Sequence, residues 1–79
     1  MQTTDAMRAV VARAGLSSRA ASVACGRSPS WLSVALARPR TCEAATVALL
    51  GRACGHTLAL VPTEELPPSA IVIDPLAEP

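Results

Sequence analysis

The chain has 79 residues, enough for one domain, and a domain this short buries only a modest fraction of its surface. Its single aromatic residue, Trp31, excludes a core of stacked rings and favours small helices packed closely together. The odd count of three cysteines, Cys25, Cys42 and Cys54, fits a disulfide framework poorly. No signal peptide and no apolar stretch near the required length of about 20 residues is present, so we expect a cytoplasmic protein that does not span a membrane.

The net charge of +1 combines two segments of opposite sign. Residues 1–61 contain all seven arginines but only Asp5 and Glu43 as acids, which gives +5, whereas residues 62–79 carry −4. A basic segment suits a polyanionic partner, although ordinary surface arginines on a helical domain would give the same count. The acidic tail offers a contact for a second protein.

The fold class predicted from the pattern is mostly α, with four helices over about residues 4–14, 17–25, 29–37 and 42–54. Thr3 or Thr4 can cap the first helix, Ser17 the second and Thr41 the fourth, and Ser28-Pro29 is a typical beginning for the third. Gly15, Gly26 and Gly55 follow the first, second and fourth helices, at the position where a left-handed backbone ends a helix.

Two short β-strands are predicted after the helices, because Thr57–Val61 and Ala70–Ile73 are rich in strand-forming residues. A Pro/Glu connector at residues 62–69 joins them within a C-terminal unit of residues 57–74, and residues 75–79 are predicted to fray. An isolated hairpin is marginal in water, so we expect the strands to form a sheet between two subunits. Its interface would bury Leu58, Leu60, Ile71 and Ile73. The alternative is a monomer whose hairpin covers its own helices.

The informative feature is the pair of short helices between Ser17 and Arg38, joined by about three residues around Gly26. A tight glycine turn makes two helices cross steeply and leaves one side of the second exposed, although plain helical bundles share this pattern. The stretch Leu16 to Ser33, LSSRAASVACGRSPSWLS, resembles the helix-turn-helix of phage-repressor and Cro-type regulators, the lambda-repressor-like or xenobiotic-response-element family. Cys54-Gly55 before an apolar segment also matches many such domains.

The resemblance covers residues 4–61 and extends to short prophage-type regulators. It implies a helix-turn-helix DNA-binding domain over residues 1–56. The chain departs from the family pattern at Ala21 and Ser22, where leucine followed by alanine is usual, and at Arg27, where a small apolar residue is usual.

Carried over by position, the resemblance implies that the third helix enters the major groove of double-stranded DNA. The base-reading residues would be Pro29, Ser30, Ser33 and Val34, and the phosphate-binding residues Ser18, Arg19, Arg27, Arg38 and Arg40. The alternative for each arginine is an ordinary solvated side chain that does not contact DNA. Trp31 is expected to be partly buried against the second helix, the alternative being a contact with the DNA backbone.

Cys54-x-His56 with Cys25 and Cys42 could in principle bind zinc, but the closely paired ligands of structural zinc sites are absent. We therefore expect no metal, no cofactor and no catalytic residue, and we expect that the protein is not an enzyme.

The function expected from the sequence is a DNA-binding transcriptional regulator, a repressor acting as a homodimer and associated with the nucleoid. The alternative is a protein-interaction module, such as an antitoxin-like protein or a phage adaptor, that keeps the helix-turn-helix but reads DNA weakly or not at all.

Overall fold

The computed structural model describes residues 2–37 and 42–74. These residues form four α-helices and one short 3-10 helix: α1, Thr3–Ala14; α2, Ser18–Ala24; α3, Trp31–Ala37; α4, Ala44–Ala53; and the 3-10 helix, Thr63–Glu65. The helical part is compatible with the mostly α fold expected from the sequence. No helix within the described ranges combines the length and apolar character needed to cross a membrane.

The core lies where all four helices meet. α2 packs against α3 and α4, and α1 packs against α4. The buried cluster takes three residues from α1, one each from α2 and α3, and three from α4 and its end: Met7, Val10, Val11, Ala21, Leu32, Val47, Leu50 and Cys54. Because methionine and leucine are the largest fully buried apolar side chains, the helices pack around aliphatic groups rather than rings.

Three helices end in the same way, through a glycine with positive φ. At the end of α2 the N–H of Gly26 donates to the carbonyl of Val23, and the N–H of Arg27 donates to the carbonyl of Ser22. This pair of bonds satisfies two carbonyls that the helix leaves free and turns the chain sharply. The φ of Gly26 is 72°, in a region that costs a side-chain-bearing residue free energy. Corresponding pairs of bonds follow α1 and α4.

The observed N-caps agree with the predicted ones only at α2. The Ser17 side chain accepts a hydrogen bond from the N–H of Ala20 and caps α2, as predicted. Gln2 rather than a threonine is the N-cap of α1, and Glu43 that of α4. Thr41, the cap predicted for α4, lies outside the described residues. The Thr3 hydroxyl instead accepts from the N–H of Cys42 at 2.9 Å, which ties the beginning of α1 to the segment before α4.

The prediction of two C-terminal strands is wrong, and so is the sheet that was to join two subunits. Within residues 2–37 and 42–74 no segment forms a β-ladder. Residues 57–61 form no regular element, because a strand requires a backbone partner and the second segment does not supply one. Ile71 and Ile73 pack instead against the helical core of their own chain.

The C-terminal segment is fastened to α1 by one arginine. Nη1 of Arg13 donates to the carbonyl of Ser69 at 2.7 Å, just before the two isoleucines. Upstream of this contact, in the segment that leads away from α4, the side chains of Leu58 and Leu60 are exposed, and that of Leu60 completely so. The segment is therefore held at residues 69–73 and open to solvent at residues 57–61.

This difference predicts unequal effects of truncating apolar side chains. Ile71→Ala should lower the free energy of unfolding by about 1–2 kcal/mol, less than a fully buried isoleucine would lose, because Ile71 is half-buried. Leu60→Ala, the matched control, should leave stability within about 0.5 kcal/mol. Urea unfolding followed by Trp31 fluorescence measures both. Equal losses in the two variants would contradict the packing of Ile71 on the core.

Candidate nucleic-acid interface

The helices α2 and α3 are joined by a short turn that backbone hydrogen bonds stabilise. After Gly26 and Arg27, the carbonyl of Ser28 accepts from the N–H of Trp31, which forms one further turn over Pro29 and Ser30. α3 therefore begins at Trp31, two residues later than the Ser28-Pro29 signal predicts. Short connections of this kind hold two helices at a steep angle and leave the outer side of the second helix open.

The most informative residue of this pair is Ser22, whose side chain is fully buried. Its hydroxyl donates to the carbonyl of Ser18 at 2.8 Å and accepts from the N–H of Leu32 at 2.9 Å. The N–H of Leu32 belongs to the first turn of α3, where helical N–H groups have no partner within the helix. One hydroxyl therefore connects α2 to the beginning of α3. In the sequence pattern, Ser22 stands out only as a departure from the phage-repressor family.

The other end of α3 is held by an arginine of α1. Nη2 of Arg8 donates to the carbonyl of Leu36 at 3.2 Å, in the last described turn of α3, where an arginine can bind helix carbonyls. Nη1 of Arg8 lies 3.7 Å from Asp5 on the same helix, and both side chains are about half exposed, so this ion pair adds little stability by itself. Its effect is to orient the guanidinium. Polar contacts therefore fix both ends of α3.

The residues predicted to read bases lie together at the beginning and on the outer side of α3. Pro29, Ser30, Ser33 and Val34 are all exposed. Val34 keeps about half of its surface accessible. Their hydroxyl and methyl groups suit contacts with base edges and thymine methyls.

The residues predicted to bind phosphate have different outcomes. Arg19 and Arg27 are exposed, on α2 and in the turn, and neither forms an ion pair with another described residue. Ser18 is half-buried, its carbonyl accepts from Ser22, and it lies at the beginning of α2, where free N–H groups favour an anion. Arg38 and Arg40 lie outside the described residues.

Trp31 is half-buried against the core. The guanidinium carbon of Arg27 lies 5.9 Å from the centre of its ring, at the outer limit of a cation–π contact. Arg27 therefore lies near the beginning of α3 and is exposed to water. This contact between Arg27 and Trp31 is absent from the predictions made from the sequence. Their spacing, i and i+4 across a turn, was the available signal.

The cysteine side chains pack into the fold as small apolar groups. Burial raises the pKa of the Cys54 thiol, and burial together with the neighbouring Cys54 raises the pKa of the Cys25 thiol. Nδ1 of His56 contacts the carbonyl of Cys54 at 2.8 Å. Within the described residues, no three His, Cys, Asp or Glu side chains converge in a way that could hold a metal ion.

Comparisons of the chain with protein-family models, with curated proteins and with solved structures return no match.

The bonds of Ser22 predict a specific loss of stability. Ser22→Ala leaves the buried N–H of Leu32 without a partner and should lower the free energy of unfolding by about 1–3 kcal/mol. Ser33→Ala removes the same atom from an exposed position on α3 and should change stability by less than about 0.5 kcal/mol. Urea titration of both variants makes the comparison, and similar midpoints would mean that the Ser22 hydroxyl does not connect the helices.

The raised thiol pKa values predict a loss of stability at alkaline pH. Above the ordinary thiol pKa of 9.0 the unfolded chain releases protons that the folded chain retains. The contribution of these thiols is therefore complete below pH 9 and is lost as pH rises through the folded pKa values. The urea midpoint should fall between pH 8 and pH 10. The double variant Cys25→Ala, Cys54→Ala should show a smaller fall, and an equal fall would contradict the assignment.

Proposed function

We propose that the protein is a DNA-binding transcriptional regulator, a repressor, whose α3 enters the major groove. The proposal rests on one observation above the others: α3 is fixed at both ends by Ser22 and Arg8, while its outer side is open. A helix that reads base edges needs this combination, because its orientation must be set before the DNA arrives. The resemblance of residues 16–33 to phage-repressor and Cro-type helix-turn-helices points to the same role.

Charge supports the same assignment. Arg19, on α2, and Arg27, in the turn before α3, are both exposed to solvent. Phosphate contacts from such residues set the register of a protein on DNA, and contacts to base edges supply the sequence preference. The reading side chains are short, so each contributes little discrimination, and DNA shape would contribute much of the rest.

We further propose that the protein acts as a homodimer in the cytoplasm, in association with the nucleoid. Two copies related by a two-fold axis would place two recognition helices about one DNA turn apart. The exposed side chains of Leu58 and Leu60 supply apolar surface for contact between subunits, without the sheet that the sequence suggested.

Fluorescence anisotropy with a labelled duplex from the region upstream of the protein's own gene tests the proposal. The logarithm of the affinity should fall linearly with the logarithm of the salt concentration, with a slope of about −0.9 per phosphate contact. Arg19→Gln should weaken binding to that duplex and to random DNA alike. Ser30→Ala should change the ratio between the two. Sedimentation of the complex gives the number of chains bound.

Arg52→Gln is the matched control, because it removes the same charge from an exposed position on α4, outside the α2–α3 unit. It should weaken binding less than Arg19→Gln does. Undetectable binding at low salt would overturn the proposal, and so would equal effects of Arg19→Gln and Arg52→Gln.

A second candidate is a protein-interaction module, and the exposed C-terminal segment favours it. Five exposed large apolar side chains lie between residues 58 and 72, beside the acids of the 3-10 helix: Leu58, Leu60, Val61, Leu66 and Val72. Exposed apolar groups bordered by charge are typical of protein-binding surfaces. A partner protein that binds this segment, together with absent DNA binding, would favour this function over the first.

A further inference from the structure

A groove of about 430 Å³ lies between the C-terminal segment and the seam of α1 and α4. Ala6, Val10 and Arg13 form one wall from α1, at the spacing of a single helix face. Val47 and Gly51 of α4 form its floor. Sites for small organic molecules have about this volume, and they often lie in concave places that one segment closes over a packed helical surface.

The lining of the groove is mainly aliphatic. The C-terminal segment supplies Leu58, Val61, Leu66, Ile71 and Ile73. Ile71 and Ile73 face the core from one side, whereas Leu58, Val61 and Leu66 keep more than four-tenths of their surface accessible. An apolar body that entered the groove would cover this aliphatic surface and gain the free energy of removing it from water.

The polar groups of the groove indicate the charge of the occupant. Among the described lining residues, Arg13 is the sole charged side chain, and its only bond there is the one from Nη1 to the carbonyl of Ser69. A guanidinium has five N–H donors, so Arg13 retains donors for a second acceptor. His56 also lines the groove, and its Nδ1 contacts the carbonyl of Cys54. The groove therefore combines aliphatic walls with one available cation.

We propose that this groove binds a small molecule with an apolar body and a single carboxylate. The carboxylate accepts from Arg13, and the body lies between α1, α4 and the isoleucines of the C-terminal segment. The site is separate from the outer side of α3, so this proposal does not depend on the proposed DNA-binding function.

The chain offers a clean probe for this site, because its only two isoleucines, Ile71 and Ile73, both line the groove. The isoleucine methyl signals of the full chain should be followed by NMR, without DNA, during titration with 4-phenylbutyrate. Both signals should shift and saturate at millimolar concentration. The neutral analogue 4-phenylbutan-1-ol should bind about tenfold more weakly, because it lacks the charge that pairs with Arg13.

Three variants separate the site from general stickiness. Arg13→Gln should weaken 4-phenylbutyrate about tenfold, whereas Arg19→Gln, which removes a charge outside the groove, should leave its affinity unchanged. Ala59→Phe places a ring in the groove from an exposed position and should prevent binding without lowering the urea midpoint. Ala59→Phe tests the groove independently, because Arg13→Gln also removes the bond to Ser69 that holds the C-terminal segment.

Three results would overturn the proposal. One is the absence of saturable isoleucine shifts with 4-phenylbutyrate. Another is equal affinity for the acid and the alcohol. The last is undiminished binding by Ala59→Phe.

Discussion

The hydroxyl of Ser22 is the contact on which the arrangement of α2 and α3 depends. Ser22 is fully buried, so the N–H of Leu32 would have no water to bond to if the hydroxyl were removed. A buried N–H without a partner costs more free energy than the hydrogen bond contributes when it is formed. α3 has only seven residues, too few to be stable alone, so its position comes from what holds it. Ser22 holds its beginning and Arg8 its end. The open side of α3 is a consequence of these two contacts from within.

Four of the described arginines form two pairs that differ in their contacts. Arg8 and Arg13 donate to backbone carbonyls of α3 and of the C-terminal segment, and so connect parts of the chain distant in sequence. Arg19 and Arg27 remain on the surface around α3. The net charge of a segment therefore overstates what a polyanion at α3 can contact, because the guanidinium groups of Arg8 and Arg13 are positioned by carbonyls of the chain itself. A count taken from the sequence cannot separate these groups.

Features set by neighbouring residues could be predicted from the sequence. The cap at Ser17 and the glycine ends are examples, since each depends on a few consecutive residues. The role of Ser22 could not, because its second partner, the N–H of Leu32, lies ten residues away. The prediction of the C-terminal strands was wrong for the same reason. Local composition favours an extended chain, but tertiary contacts decide whether Ile71 packs against a strand or against the helical core. The phosphate contacts of Arg38 and Arg40 stay predictions, because these residues lie outside the described part of the chain.

The distribution of charged residues along the C-terminal segment has a consequence for limited proteolysis. The chain has no lysine, and Arg52, near the end of α4, is its last arginine. Trypsin therefore has no cleavage site in the exposed region that follows, however accessible its backbone is. A glutamate-specific protease, in contrast, meets Glu64 and Glu65 on an exposed 3-10 helix between two open stretches of chain. The same segment is resistant to one enzyme and open to the other.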